Sequence, residues 1–249
     1  MIEQVKKQEE MNSLRHAEEQ LEKSSYKCEK CRDMLFILQG DGSAKECECR
    51  QIRIAEEKLK ASGISEEFRN KRFENYKYDK STKMMEAFLT AKNYSKKFEY
   101  IRAARRNSCL LSGQVGSGKT HLGMSIANNL LDKSIGVIYM PYRSIITNLK
   151  QSITDEYNYQ REIQRYKNAQ VLLIDDLFKG RITESDTNII YEIVDYRYFK
   201  NLPMIVTTEK TVENLLDVDE AIGSRLYEMS KDYVVTMQGK ELNYRVYGG

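Results

Sequence analysis

The sequence predicts an α/β fold in which helices cover both faces of a parallel five-stranded sheet. Two observations support this prediction: short apolar segments alternate with helical patterns after residue 106, and a glycine-rich loop joins the first of these segments to a helix. Strands that alternate with helices pair in parallel, since each helix returns the chain to the same edge of the sheet. The predicted strands are Ser108–Ser112, Gly136–Met140, Val171–Asp175, Met204–Thr208 and Tyr233–Met237.

Composition argues against several classes of protein. The chain has 249 residues, of which 41% are hydrophobic and 31% charged, a mixture that still forms an apolar core. Its longest apolar runs are far shorter than the roughly 20 residues of a membrane helix, and its N-terminus, MIEQVKKQEE, lacks the apolar segment of a secretory signal. We therefore expect neither a membrane protein, a secreted disulfide scaffold nor a low-complexity chain, but a cytoplasmic protein with no membrane partner.

The chain divides into two predicted domains near residue 62. Residues 1–62 carry 12 Lys/Arg and 13 Asp/Glu, whereas residues 63–106 carry 12 Lys/Arg and 6 Asp/Glu. A narrow helical face near the start either packs weakly or contacts a partner, and its apolar residues are Leu14, Ala17 and Leu21. A later helical pattern ends at Ser62-Gly63. We predict a small N-terminal module over 1–62 and the main domain over 63–249.

Helical patterns fill the connections between the predicted strands. One runs from Lys119 to about Asp132 with apolar residues on one side, and another starts near Ser144. A third starts at Thr183, where Thr183 and Asp186 have the spacing of a capping box ahead of an apolar face. These helices would cover the two faces of the sheet.

The segment after the first predicted strand matches the phosphate-binding motif G-x-x-x-x-G-K-[ST] in full. Its glycines let backbone N–H groups converge on a phosphate at the positive end of the following helix. Lys119 would contact the β- and γ-phosphates of a nucleotide, and the Thr120 hydroxyl would be a magnesium ligand. The predicted nucleotide-binding residues are Gly113, Gln114, Val115, Gly116, Ser117, Gly118, Lys119 and Thr120.

Polar residues end two of the other predicted strands. Asp175 and Asp176 follow a buried apolar strand, and in a parallel sheet they would lie beside the phosphate-binding loop. We expect Asp175 to hold magnesium and Asp176 to orient and polarise the attacking water. Of the two threonines that end the next strand, we choose Thr208, with Thr207 as the alternative, to contact the γ-phosphate and the water.

Four of the five cysteines lie within 22 positions, in the pattern C-x2-C-x15-C-x-C. The pattern is close to a zinc signature, and the turn signal Asp41-Gly42 predicts a hairpin that brings the two pairs together. Four thiolates suit tetrahedral Zn²⁺, while reduced or redox-active thiols and an iron–sulfur cluster are the alternatives. Cys109 is expected to be a buried strand residue, and His16 is not needed as a ligand. The predicted zinc ligands are Cys28, Cys31, Cys47 and Cys49.

Together these motifs resemble those of AAA+ ATPases of the DnaC/DnaI helicase-loader type and of the related IstB-like transposition ATPases. The resemblance covers about residues 63–249. It rests on FRNKRFENY at Phe68–Tyr76, KTHLG at Lys119–Gly123, the Asp-Asp end of the acidic strand and GSRLYEM at Gly223–Met229. It implies a RecA-like core that binds ATP or ADP with Mg²⁺, and the short segment after Arg245 implies that no C-terminal lid is present.

The resemblance also implies roles for single residues. Arg225 would act on the ATP of a neighbouring subunit in a head-to-tail oligomer, and Arg245 would be a second sensor acting in cis. Tyr142 and Arg143 are the candidate contacts with single-stranded DNA. His121, which directly follows the loop, is included among the nucleotide-binding residues, and we expect its ring either to pack or to contact the neighbouring strand.

The function implied by the resemblance is ATP-dependent loading of a DnaB-type hexameric helicase onto single-stranded DNA at the initiation of replication. The cysteine-rich module would dock on the helicase, and single-stranded DNA and assembly would stimulate ATP hydrolysis. Two alternatives stay open. One is an IstB-like transposition helper, and the other is an ATP-sensing helicase adaptor with little hydrolysis, which the Asp-Asp ending leaves possible.

Overall fold

The structure is a computed structural model, and it describes residues 26–40, 42–77, 81–239 and 242–247. The chain forms two compact units, one up to Glu56 and the other from Glu57 onward, and the division falls within helix α1, Cys49–Ser62. The predicted N-terminal helix lies outside the described residues, together with His16 and the apolar positions Leu14, Ala17 and Leu21.

The first unit contains a short β-hairpin with few buried side chains. Strands β1, Phe36–Leu38, and β2, Ala44–Glu46, pair antiparallel, which confirms the predicted hairpin. Every residue of the two strands is exposed, and among the described residues of this unit only Cys31 and Cys47 are buried. Within the described residues of this unit, apolar burial therefore contributes little to stability.

The second unit is built around a parallel five-stranded sheet, whose strands are β3 Cys109–Gly113, β4 Val137–Pro141, β5 Val171–Leu177, β6 Met204–Thr208 and β7 Val234–Met237. The strand order is β4-β5-β6-β3-β7, and every pairing is parallel, which confirms the predicted sheet. β5 extends two residues beyond its predicted end. Its pairing with β6 is irregular between Ile174 and Leu177, where Asp175 and Asp176 lie.

Helices occupy the connections of the second unit. The capping box of Thr183 and Asp186 is present, as predicted. No helix in the described part of the chain combines the length and apolar content needed to cross a lipid bilayer. The helices are α2 Glu66–Arg69, α3 Thr82–Ile101, α4 Lys119–Asp132, α5 Tyr142–Gln151, α6 Glu156–Lys167, α7 Glu184–Phe199, α8 Val212–Val218, α9 Glu220–Ser230 and α10 Tyr244–Tyr247, with a 3₁₀ turn at Phe73–Asn75.

Both faces of the sheet are covered by apolar side chains. Leu111 and Leu173 pack in a cluster with side chains of α3 and α4, whereas Leu110 and Leu172 pack in a second cluster with side chains of α5, α6, α7 and α9. Neighbouring strand residues reach opposite clusters because side chains alternate along a strand. The parallel direction places the carboxyl ends of β3, β5 and β6 at one edge, where the candidate site lies.

At the opposite edge of the sheet, a fully buried arginine connects the segments that lead into β5 and β6. Arg197 of α7 donates hydrogen bonds to the carbonyl oxygens of Tyr166, Lys167, Ala169 and Pro203, at 2.7–3.1 Å. Burial lowers the pKa of its guanidinium to about 9. These carbonyl groups precede β5 and β6, so one side chain satisfies backbone acceptors from two strand starts.

Candidate functional site

The phosphate-binding motif forms a tight loop between β3 and α4. Gly116 and Gly118 have φ values of +77° and +85°, in the left-handed region that favours glycine. A Cβ atom on Gly118 would lie 2.7 Å from Cε2 of Tyr76, so any larger residue would also displace that ring. The loop therefore brings its backbone to the N-terminus of α4, where the helix dipole favours an anion.

Lys119 begins α4 and its side chain folds back into the loop. Its Nζ donates to the carbonyl oxygen of Gln114 at 2.7 Å, and the residue is only 5% exposed. Burial lowers the pKa of Lys119, while the negative charges of Glu209 and Asp176 oppose this change. The ammonium group is thus held where a phosphate would enter the loop.

Asp175 is the centre of a buried polar cluster. Its Oδ1 accepts hydrogen bonds from Thr120 Oγ1 at 2.9 Å and from Thr207 Oγ1 at 2.6 Å, and its Oδ2 accepts from the Tyr139 hydroxyl at 3.3 Å. Burial raises the pKa of Asp175 in spite of these donors. The structure therefore brings together Thr120 and Asp175, the two predicted magnesium ligands, and carboxylate and hydroxyl oxygens suit that ion.

Asp176 lies beside Asp175 with a different set of neighbours. Its carboxylate accepts from Lys179 Nζ at 2.7 Å, and Lys179 also contacts Glu209 at 3.3 Å. The backbone N–H of Asp176 donates to Thr207 Oγ1 at 2.9 Å. The pairing with Asp176 raises the pKa of Lys179, so the predicted base lies next to a charged ammonium group.

The two threonines at the end of β6 face different partners. Thr207 contacts Asp175 and the backbone of Asp176, whereas the Thr208 hydroxyl donates to the carbonyl oxygen of Leu177 at 2.8 Å. Both residues are fully buried. Thr207, the alternative in the sequence prediction, is therefore the threonine that contacts the acidic pair at the end of β5.

A cavity of about 730 Å³ adjoins the loop. One wall is formed by the segment that precedes the core, which Asn128 of α4 anchors: its Nδ2 donates to the carbonyl oxygens of Phe68 and Lys71 at 2.9 Å. The lining includes Phe68, Tyr76, Val115, Lys119, Thr120, His121, Asp175, Asp176, Lys179, Glu209 and Tyr244. The size suits a nucleotide, and its lining combines aromatic rings with cationic and acidic groups.

Of the two expected environments, His121 has the packed one, because it lies against that same wall. Its Nε2 lies 2.9 Å from both the Arg72 carbonyl oxygen and Asn75 Oδ1, and its ring meets Tyr76 edge to face. Burial lowers the pKa of His121. The segment Phe68–Tyr76 thus lies over the start of α4 and occupies the space beside the histidine.

The two predicted arginine sensors lie in different surroundings. Arg225 of α9 is not among the residues that line the cavity: it pairs with Asp195 at 3.0 Å, and its guanidinium lies 5.2 Å from the ring centre of Tyr198. Arg245 belongs to α10, whose first N–H, that of Tyr244, donates to the Gly116 carbonyl oxygen at 3.0 Å. The Arg245 side chain lies outside the described residues.

The four predicted zinc ligands come together in the first unit. The Sγ atoms of Cys28 and Cys47 are 3.8 Å apart, those of Cys31 and Cys49 are 3.4 Å apart, and all four lie within 4.8 Å of one another. Tetrahedral Zn²⁺ at a Zn–S distance of roughly 2.3 Å requires sulfur separations of about 3.8 Å. The donor set and spacing therefore fit a single zinc ion.

A second cavity, of about 380 Å³, opens where α5 begins. We call it the basic cleft. Its charged lining residues are Arg143, Lys150, Lys179, Arg181 and Asp186, and Tyr142 also contributes. It contains both candidate DNA-contacting residues.

Sequence reasoning missed three members of the site. Lys179 and Glu209 follow the predicted strand ends by only a few residues, so proximity along the chain was the available signal. The sequence offered no signal for Tyr139, because its contact with Asp175 depends on the pairing of β4 with β5.

Comparisons with known proteins identify the family of the chain. A family model described as IstB-like ATP binding protein matches residues 6–226. The chain is 37% identical over 215 residues to the uncharacterized protein YqaM of Bacillus subtilis strain 168, covering 83% of this chain and 68% of YqaM. It is also 37% identical over 237 residues to the phage-like element PBSX protein XkdC of the same organism, covering 90% and 88%.

Replication proteins are also among the relatives. The replicative helicase loader DnaC of Buchnera aphidicola subsp. Schizaphis graminum is 32% identical over 145 residues, or 56% of this chain and 55% of that protein. Crystal structures of DnaI (TM-score 0.58, 20% identity, 71% of this chain and 94% of that chain) and of the DnaC helicase loader (TM-score 0.59, 22% identity, 70% and 99%) share the fold. The chain therefore belongs to the family of IstB-like ATP-binding proteins and has their AAA+ fold.

Proposed function

We propose that the chain binds ATP with Mg²⁺ and hydrolyses it to ADP and phosphate. The observation that supports this best is the buried Asp175 carboxylate, which meets the Thr120 hydroxyl at 2.9 Å beside the phosphate-binding loop. Thr120 and Asp175 would hold Mg²⁺, which neutralises phosphate charge, and Lys119 would contact the β- and γ-phosphates. The loop residues Gly113–Gly118 would bind the phosphates through backbone N–H groups.

For hydrolysis, we propose Asp176 as the group that orients and polarises the attacking water. Thr207 is the better candidate for the sensor, because it contacts both Asp175 and the backbone of Asp176, while Thr208 is engaged with Leu177. Arg225 would serve the ATP of a neighbouring subunit in a head-to-tail oligomer, which agrees with its position away from the cavity of its own chain. Arg245 is retained as the second sensor in cis.

The partner that we propose is a DnaB-type hexameric helicase, which the protein would load onto single-stranded DNA in the cytoplasm. The name of the Buchnera relative, replicative helicase loader DnaC, supports this proposal. The module of residues 1–62, with zinc bound by Cys28, Cys31, Cys47 and Cys49, would dock on the helicase. The basic cleft with Tyr142 and Arg143 would hold the DNA strand.

Two alternatives share the same ATP site. The family description, IstB-like, favours a transposition helper that recruits a transposase. The ion pair between Asp176 and Lys179 favours an adaptor that binds ATP but hydrolyses little, because the ammonium group occupies the carboxylate that would act on water.

Two experiments test these proposals. ATP turnover by the full chain should be abolished in Lys119→Ala. It should be retained in the control Lys231→Ala, whose exposed lysine directly follows α9 in the sequence. If Lys119→Ala kept its turnover, the ATP site would be wrongly assigned. Intact turnover in Arg225→Ala would contradict the proposal that Arg225 acts on the ATP of a neighbouring subunit. Co-purification with the replicative helicase supports the loader, whereas selective capture of a transposase would overturn it.

A further inference from the structure

Lys179 lies on the boundary between the basic cleft and the 730 Å³ cavity beside the phosphate-binding loop, which we call the nucleotide cavity. It lines the nucleotide cavity, where its Nζ contacts Asp176 at 2.7 Å and Glu209 at 3.3 Å, and it also lines the basic cleft. Its side chain is 34% exposed. One lysine therefore borders both cavities.

The basic cleft has an excess of positive charge around this lysine. Its acidic residue Asp186 already pairs with Lys150 at 2.9 Å. Arg143 lies against the loop that carries Lys179, since a Cβ atom on Gly180 would be 3.8 Å from its Cζ atom. The cleft's other cations are Arg143, Arg181 and Lys179, of which Lys179 is held by Asp176 and Glu209 on its far side, and such a set attracts phosphodiester groups.

The ion pair between Lys179 and Asp176 is one in which the lysine can exchange its partner. Asp176 is fixed through its backbone, because its N–H donates to Thr207 and its φ of +57° lies in the left-handed region. Lys179, in contrast, carries its charge on a flexible four-carbon chain that reaches solvent, and a partly exposed pair of this kind is held weakly. A phosphodiester in the cleft would therefore move the lysine and leave the aspartate in place.

We propose that Lys179 couples the two cavities: a single-stranded nucleic acid in the basic cleft attracts its ammonium group and so releases Asp176 to act on water. This inference rests on the proposed ATPase function. Lys179 is a positioning residue here, since it acts through Asp176. In the absence of nucleic acid the pair holds hydrolysis low, and in its presence turnover rises.

The test compares ATP turnover by the full chain with and without an oligodeoxythymidylate. We expect severalfold stimulation in the wild type, and in Lys179→Arg as the conservative variant. Lys179→Met should show raised turnover without the oligonucleotide and no further stimulation. The control Lys231→Met, at an exposed lysine outside both cavities, should behave like the wild type. Stimulation that persists in Lys179→Met, or basal turnover that falls in it, would overturn the proposal.

A second measurement tests the proposal if ATP turnover is too slow to be compared between variants. Coupling is reciprocal, so the oligonucleotide should change the affinity for a non-hydrolysable ATP analogue in the wild type and not in Lys179→Met. An equal effect of inorganic phosphate alone would refute the nucleic-acid assignment. If the wild type does not bind the analogue, the proposed ATP site itself fails. If it binds but neither the oligonucleotide nor Lys179→Met changes turnover or affinity, only the coupling fails.

Discussion

The second unit, which contains the five-stranded sheet, and the first unit, which contains the four clustered cysteines, bury different kinds of side chain. We call them the sheet unit and the cysteine unit. In the sheet unit, two apolar clusters cover the faces of five strands, and buried polar groups such as Arg197 and Asp175 are satisfied by hydrogen bonds. In the described part of the cysteine unit, the buried residues are Cys31 and Cys47, and the hairpin strands are exposed. A segment without an apolar core depends on a cross-link or a metal, so the two units should fail under different perturbations.

The largest effect is expected from a pair of cysteine variants. Cys47→Ser should abolish the binding of about one zinc ion per chain and unfold the cysteine unit, since a hydroxyl is a poor substitute for a thiolate ligand. Cys109→Ser changes the same atom in the fully buried strand β3, and should keep the zinc while lowering the free energy of unfolding of the sheet unit by about 1–3 kcal/mol. Zinc analysis and urea unfolding measure both.

The opposite result would contradict the comparison. Full zinc content in Cys47→Ser would show that the four thiols are not a metal site. Loss of zinc in Cys109→Ser would show that the two units do not fail separately.

A smaller effect is expected at the polar connection inside the sheet unit. Arg197→Met keeps much of the side-chain volume but removes the guanidinium donor from the carbonyl oxygens of Tyr166 and Ala169, and leaves that of Pro203 with the backbone N–H of Leu172 alone. We expect the free energy of unfolding to fall by about 2–4 kcal/mol, with zinc content unchanged. Arg106→Gln, which breaks an exposed pair with Asp232, is the control and should change it by less than about 0.5 kcal/mol. Equal urea midpoints for the two variants would refute the role of Arg197.

The smallest effect concerns the wall of the nucleotide cavity. Asn128→Ala removes the donor to the Phe68 and Lys71 carbonyl oxygens, and we expect it to weaken ATP binding about tenfold, equivalent to roughly 1.4 kcal/mol. The control Asn214→Ala, at an exposed position of α8, should bind ATP like the wild type. Titration with a fluorescent ATP analogue measures both affinities, and unchanged binding in Asn128→Ala would mean that the wall does not contribute.

Contiguous patterns predicted most of the fold. The strand and helix periods located the five-stranded sheet, and the turn signal located the hairpin, because these features depend on neighbours along the chain. Contacts between elements that are distant in the sequence were harder to predict. No local pattern located the segment before the core against which His121 packs, and no contiguous motif predicted the roles of Tyr139, Lys179 and Glu209.

The sequence by itself determined the phosphate-binding loop, the acidic end of β5 and the four clustered cysteines, since each depends on residue types at short fixed spacings. Only the tertiary structure decided which threonine of β6 meets Asp175. The last regular pair of β5 and β6, Ile174 with Val206, sets the phase in which Asp175 meets Thr207, just before the pairing becomes irregular. Because side chains alternate along a strand, one residue of offset would exchange Thr207 for Thr208. The same irregular strand end places Asp176 against Lys179, on the boundary between the nucleotide cavity and the basic cleft.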